Sequence, residues 1–150
     1  MTIVEHVHSV DALESEIASY ARDRMTLTWE ERRHGHGRRR SESGIDFAVS
    51  LPPGTVLKHG DCFVLPAERT VVVVEEAREP VYVIRAETFR DAAFYAYNVG
   101  NRHQPLAVAD GYLVVLQNPA VRSLLEQLHA SYVEDCRPFN ALVASGHTHG

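Results

Sequence analysis

The 150-residue chain predicts an α+β protein: a small β-sandwich-like domain, then a ferredoxin-like βαββαβ domain and a mobile C-terminal tail. Three observations carry this. Hydrophobic residues make up 45% and charged residues 23%, the balance of a soluble globular protein. The length fits one large domain or two small ones of about 75 residues each. The pattern also changes at Glu76–Pro80. Short alternating runs punctuated by Gly and Pro precede it, and strands separated by helical periodicity follow it.

In order along the chain, Thr2–Val10 reads as a strand, with Val4, His6 and His8 on one face at period two. Val10, Leu13, Ile17 and Tyr20 recur at helical spacing, and Asp11 with Glu14 forms a possible N-cap pair, which predicts a helix over Ala12–Arg22. Met25–Glu30 alternates as a half-buried strand, Met25, Leu27 and Trp29 on one side. Arg32–Gly44 reads as a loop or strand extension. Ile45–Leu51, Thr55–Leu57, Cys62–Leu65 and Thr70–Glu75 read as short strands. Val81–Arg85 is a further strand. Glu87–Val99 is a helix with Phe89, Ala92, Ala93 and Ala96 at helical spacing and Gly100 as its stop. Gln104–Val108 and Gly111–Leu116 are strands. A helix with Pro119 in its first turn, capped by Asn118 or Gln117, runs to about His129 and buries Val121, Leu124, Leu125 and Leu128. Val133–Arg137 closes the βαββαβ order. The expected domains are residues 1–76 and 77–140, with 141–150 as the tail.

No apolar run approaches the roughly 20 residues of a membrane-spanning helix. The start, MTIVEHVHSV, has neither the basic nor the apolar part of a signal peptide. Two cysteines, Cys62 and Cys136, speak against a disulfide framework and read as small buried hydrophobes in a reducing compartment. A cytoplasmic protein is therefore expected.

The formal charge is −5 with histidine neutral, and nine histidines would take it to +4 if all were protonated. The basic residues are fourteen Arg and Lys58. Arg32, Arg33, Arg38, Arg39 and Arg40 fall in one nine-residue stretch, and the remainder of the chain carries −10 without it. An acidic body with one basic arm points to a local anionic partner surface, not to nucleic acid.

Catalysis fits poorly: Gly-x-Ser-x-Gly, a phosphate loop and His-Glu-x-x-His are all missing. The histidines divide by setting. His129 sits near a predicted helix end, where the dipole favours it. His59 lies in a turn, and His6 and His8 read as exposed strand residues. His34 and His36 are surrounded by guanidiniums that repel a dication. For His147 and His149, in the tail, a metal-ligand role and an incidental terminal sequence remain equally open. His103 follows a helix end.

His103 lies in Gly100-Asn101-Arg102-His103-Gln104-Pro105-Leu106. A second block runs from Gly44-Ile45-Asp46-Phe47 through Leu51-Pro52-Pro53-Gly54 to Gly60-Asp61. Together these resemble the urease accessory nickel metallochaperones, the UreE family, from about Met25 onward. The resemblance implies a non-enzymatic carrier with an N-terminal β domain for partner contacts and a ferredoxin-like domain that forms a homodimer. It implies one Ni(II) shared by His103 of two subunits, with His147 and His149 completing the coordination and Zn(II) as a competitor. It implies the urease accessory GTPase and the urease apoprotein complex as partners. Pro53 stands where the family usually has Arg, and Leu116-Gln117-Asn118-Pro119 lacks the auxiliary His-x-His of some members. The competing readings are a protein-interaction adaptor working through the Arg-rich stretch 32–40 and, more weakly, an RNA-binding module. The second lacks the aromatic-bearing strand motif that RNA recognition uses.

Overall fold

The computed structural model describes residues 1–143. The chain divides into two compact units, Met1–Ala77 and Arg78–Gly150, each with its own apolar core.

The first unit begins with two short strands, Ile3–Val4 (β1) and His8–Ser9 (β2). A 3-10 turn at Val10–Ala12 and one helical turn at Ser15–Ala18 (α1) lead into Ala21–Leu27 (β3). Trp29–Arg33 (α2), His36–Arg40 (β4), Asp46–Ser50 (β5), Asp61–Leu65 (β6) and Thr70–Glu76 (β7) follow. The strands form two sheets, in the orders β1-β5-β4 and β2-β6-β7-β3. Val4, Phe47 and Val49 of the first sheet and Met25, Leu27, Phe63, Leu65, Val72 and Val74 of the second share one buried cluster. The Phe47 and Phe63 rings meet at 5.5 Å between centroids, within the range for favourable aromatic pairs.

The second unit runs Arg78–Arg85 (β8), Phe89–Asn101 (α3), Leu106–Ala109 (β9), Tyr112–Leu116 (β10), Pro119–Gln127 (α4) and Tyr132–Pro138 (β11). Its sheet has the order β11-β8-β10-β9, with every neighbouring pair antiparallel. This is the ferredoxin-like arrangement. Both helices cover one face: Val99, Val121, Leu124 and Leu125 bury against Tyr82, Ile84, Leu113 and Val115. Asn118 caps α4 by accepting the Val121 N–H at 2.8 Å, with Pro119 in the first turn. The α+β class stands, but several local readings do not.

The strand expected over Thr2–Val10 is broken. Val4 pairs with Val49 in one sheet, while His8 pairs with Cys62 in the other. The chain changes sheets between them, so Val4 is buried and His6 and His8 are exposed. The helix expected over Ala12–Arg22 shrinks to α1. Residues 21–27 instead pair in parallel with Val71–Val74 and their neighbours on β7, and that tertiary pairing overrides helical spacing. Trp29 leaves the strand because Thr28 begins a helix: its hydroxyl accepts the Glu31 N–H, and the Glu31 carboxylate accepts the Thr28 N–H. Thr55–Leu57 is not a strand; Leu57 is buried, with its N–H bonded to the Arg32 carbonyl. Cys136 is exposed, and only Cys62 is buried. Among the described residues no helix is long and apolar enough to cross a membrane.

Candidate metal centre

His103 owes its position to the end of α3. The helix starts at Thr88, whose hydroxyl accepts the Asp91 N–H at 3.1 Å. Its inner face is Ala92, Tyr95, Ala96 and Val99. Gly100 does not stop it; the helix runs through Gly100 to Asn101. The stop is made by His103 itself, at φ 57°. The His103 N–H donates to the Gly100 carbonyl at 2.9 Å, and the Gln104 N–H donates to the Val99 carbonyl at 3.3 Å. Those two bonds are a Schellman closure, normally made around glycine. Pro105 biases Gln104 towards extended backbone, which sends the chain into β9. The Gln104 side chain is held in turn, since Asn118 donates its amide N–H to Gln104 Oε1 at 3.1 Å. The cap of α4 and the turn bearing His103 are thus joined by one side chain, while the His103 imidazole stays exposed.

After β11 the chain returns to β9. The Leu142 N–H donates to the Leu106 carbonyl at 2.8 Å. This ties the described part of the expected tail to the start of β9, three residues from His103. His147 and His149 lie outside the described residues. Among the described residues, no group of three or more His, Cys, Asp or Glu side chains is placed to hold a metal ion. His103 is therefore an isolated, solvent-facing imidazole within what is described of one chain.

The outer face of α3 is apolar. Phe89 is 91% exposed, Tyr97 70% and Phe94 49%, and Ala93 is exposed beside them. Of the residues read at helical spacing, Phe89 and Ala93 belong to this stripe and Ala92 and Ala96 to the inner face. Apolar residues all round a helix signal that both faces are meant to be covered, and the spacing of Phe89, Ala93 and Tyr97 carried that signal in the sequence.

The five arginines do not form one arm. Arg32 is fully buried. Its Nη1 donates to the Leu57 carbonyl at 3.4 Å and lies 3.9 Å from Glu76 Oε2, and its guanidinium stacks 5.4 Å from the Trp29 ring centroid. It is a core residue and cannot belong to a partner surface. Arg33 is on the exposed side of α2, 3.7 Å from Glu30. Arg38, Arg39 and Arg40 lie on β4, where Arg40 approaches Asp46 at 3.7 Å. The Thr28-x-x-Glu31 capping box was the sequence signal that Arg32 belonged to a helix turn.

The model of the UreE urease accessory protein N-terminal domain matches residues 2–75, and that of the C-terminal domain matches residues 79–150. The chain belongs to the UreE family. The UreE urease accessory protein of Chelativorans sp. is 32% identical over 118 residues, covering 79% of this chain and 74% of that protein. That of Burkholderia vietnamiensis is 33% identical over 129 residues, 84% of this chain and 64% of the relative. That of Nitrosospira multiformis is 29% identical over 153 residues, 99% and 82%. The chain thus spans slightly less than two thirds of the Burkholderia relative. Within this UreE chain, the Gly-Asn-Arg-His block is the last turn of α3 and its closure.

Proposed function

We propose that this chain is a non-enzymatic carrier of Ni(II) for urease maturation, acting as a cytoplasmic homodimer. In this reading His103 of each subunit contributes to one shared Ni(II), and His147 and His149 supply further ligands. Imidazole suits Ni(II), which also binds such donors more tightly than Co(II) or Fe(II). Zn(II) is the expected competitor. The urease accessory GTPase and the urease apoprotein complex are the proposed receivers, with no role for nucleic acid or membrane.

The observation that carries the reading is the exposed His103 turn with Leu142 fastened beside it. Three residues from Leu106 to His103 span at most roughly 11 Å, and five from Leu142 to His147 reach roughly 17 Å. A tail starting at Leu142 is long enough to bring its imidazoles to His103. The apolar outer face of the same helix supports a homodimer, because covering it beside His103 would bring two such ligands together. Two fixed ligands with detachable tail ligands suit cargo that must be released. Sharing the ion also links nickel binding to dimerisation. Ligation needs neutral imidazole, so affinity is expected to fall on acidification.

The test is calorimetric nickel titration with size-exclusion chromatography in parallel. The expected result is about one tight Ni(II) per dimer, lost in His103→Ala. Unchanged affinity in that variant removes His103 from the site.

A further inference from the structure

β4 is an edge strand, paired only with β5. The Ser41 N–H donates to the Ile45 carbonyl and the Leu51 N–H donates to the Gly35 carbonyl. In an antiparallel ladder these bonds alternate, so Gly37 and Arg39 bond to β5 while His36, Arg38 and Arg40 turn their backbone groups to the open side. The His34 carbonyl continues that series, the His34 N–H being bonded to the Glu31 carbonyl. An open row of backbone groups is a template for another strand.

Here the row is guarded. The Arg39 guanidinium donates from Nη2 to the His34 carbonyl at 2.6 Å and from Nη1 to the Arg38 carbonyl at 2.8 Å. Arg39 shares a side with Phe47, its register partner, so it points to the inner side of the edge and folds over the carbonyls a partner strand would use. Arg38 is exposed and has no carboxylate partner among the described residues. Beside the edge lies a cavity of about 450 Å³ with Met25 and Leu27 of β3 in its wall and His34, Arg38, Arg39 and Arg40 around it.

We infer that this guarded edge is a docking site for an extended acidic segment of a partner protein. A carboxylate is a stronger acceptor for guanidinium than a backbone carbonyl. An incoming Glu or Asp therefore draws Arg39 off His34 and Arg38, and the freed edge pairs with the backbone of the same segment. Arg38 and Arg40 lie two residues apart, about 6.8 Å along the strand and on the opposite side from Arg39, so acidic residues at successive positions of the segment meet all three. A neutral strand finds the edge closed, so the guard selects for charge. The cavity lining has no Phe, Tyr or Trp on which bases could stack, which favours a peptide over a single-stranded nucleic acid. The inference deepens the partner-surface reading of the basic stretch and leaves nickel carriage aside.

The probe is a fluorescently labelled oligo-glutamate peptide, titrated with the full chain and read by anisotropy. Saturable binding is expected. It should weaken at least about tenfold when Gln replaces each Glu, and equally when Arg38→Glu and Arg40→Glu are combined. In Arg39→Ala the Gln peptide should gain affinity, because the carbonyls are no longer covered; a purely electrostatic patch gives no such gain. The inference is overturned by absent binding of the Glu peptide, by indifference to charge reversal, or by an oligo-dT strand that binds more tightly than the peptide. It is also overturned if the charge-reversed pair abolishes self-association instead of peptide binding. Nickel titration of the same variants should match the parent. Loss of peptide binding with nickel binding intact counts against the edge alone, and absent nickel binding in the parent counts against the carrier reading alone.

Discussion

A histidine at positive φ carries a steric cost that glycine does not, about 1 kcal/mol. His103 and His129 both sit there, at φ 57° and 54°. Each closes its helix in the same way, His129 donating its N–H to the Glu126 carbonyl and Ala130 to the Leu125 carbonyl. The two residues are structural equivalents with different surroundings, which makes a controlled comparison. Replacing either by Gly relieves the left-handed strain and adds unfolded-state entropy of similar size. Both variants are expected to melt within a few degrees of the parent. Nickel affinity should collapse only in His103→Gly. Equal loss in His129→Gly, measured by the same titration, would show that the helix ends matter and not the ligand. Arg32 illustrates the opposite case, a basic residue in a basic run that the core has claimed.

At the scale of elements, α3 combines an uncovered apolar face with a closing turn that carries the proposed ligand His103. Phe89 and Tyr97 project away from the core, so Phe89→Ser with Tyr97→Ser should leave the monomer fold within about 0.5 kcal/mol for each site. The proposed dimer is expected to dissociate, seen by sedimentation, and nickel stoichiometry should fall with it. An unchanged dimer would place the subunit contact elsewhere. The β4–β5 connection shows a second element-level device. Burial raises the Asp23 carboxyl, but hydrogen bonds from the Ser41 and Ser43 hydroxyls and from the Arg24 and Ser43 N–H groups outweigh it and hold its pKa below the ordinary 3.8. A folded-state pKa below the unfolded one stabilises above that unfolded value. The contribution is therefore present at neutral pH and lost as pH falls below about 3.8 through the lowered value. Asp23→Asn should destabilise the protein at pH 7 and flatten the acid limb of its urea-denaturation profile. A parallel acid limb in the variant would assign the dependence to other carboxylates.

For the whole molecule, the two units have separate cores, and the proposed roles divide the same way. The proposed nickel ligands belong to the second unit and the guarded basic edge to the first. The Leu142–Leu106 hydrogen bond holds the start of the expected tail at β9. Truncation after Ala144 leaves that hydrogen bond in place and removes His147 and His149. It should weaken nickel binding while the dimer persists; a monomeric product in size exclusion would give the tail a structural role instead. Most of the second unit was legible in the sequence, because α4 carries its cap, its Pro and its apolar stripe within a few residues. The first unit was less so. Residues 12–22 have helical spacing, but parallel pairing with β7 claims Ala21–Leu27. Such pairing joins residues far apart in sequence and leaves no local periodicity to read.

The sequence by itself determined the family, through Gly100-Asn101-Arg102-His103 and its companion block, and the α+β class, through patterns that complete themselves within one element. Only the tertiary structure decided which arginines face outward, that His103 rather than Gly100 closes α3, that Leu142 lies against β9, and that β4 is an edge with its carbonyls covered by Arg39. Each of those depends on which distant backbone or side chain arrives as a neighbour. Burial, edge position and hydrogen-bond partnership are properties of that neighbour as much as of the residue.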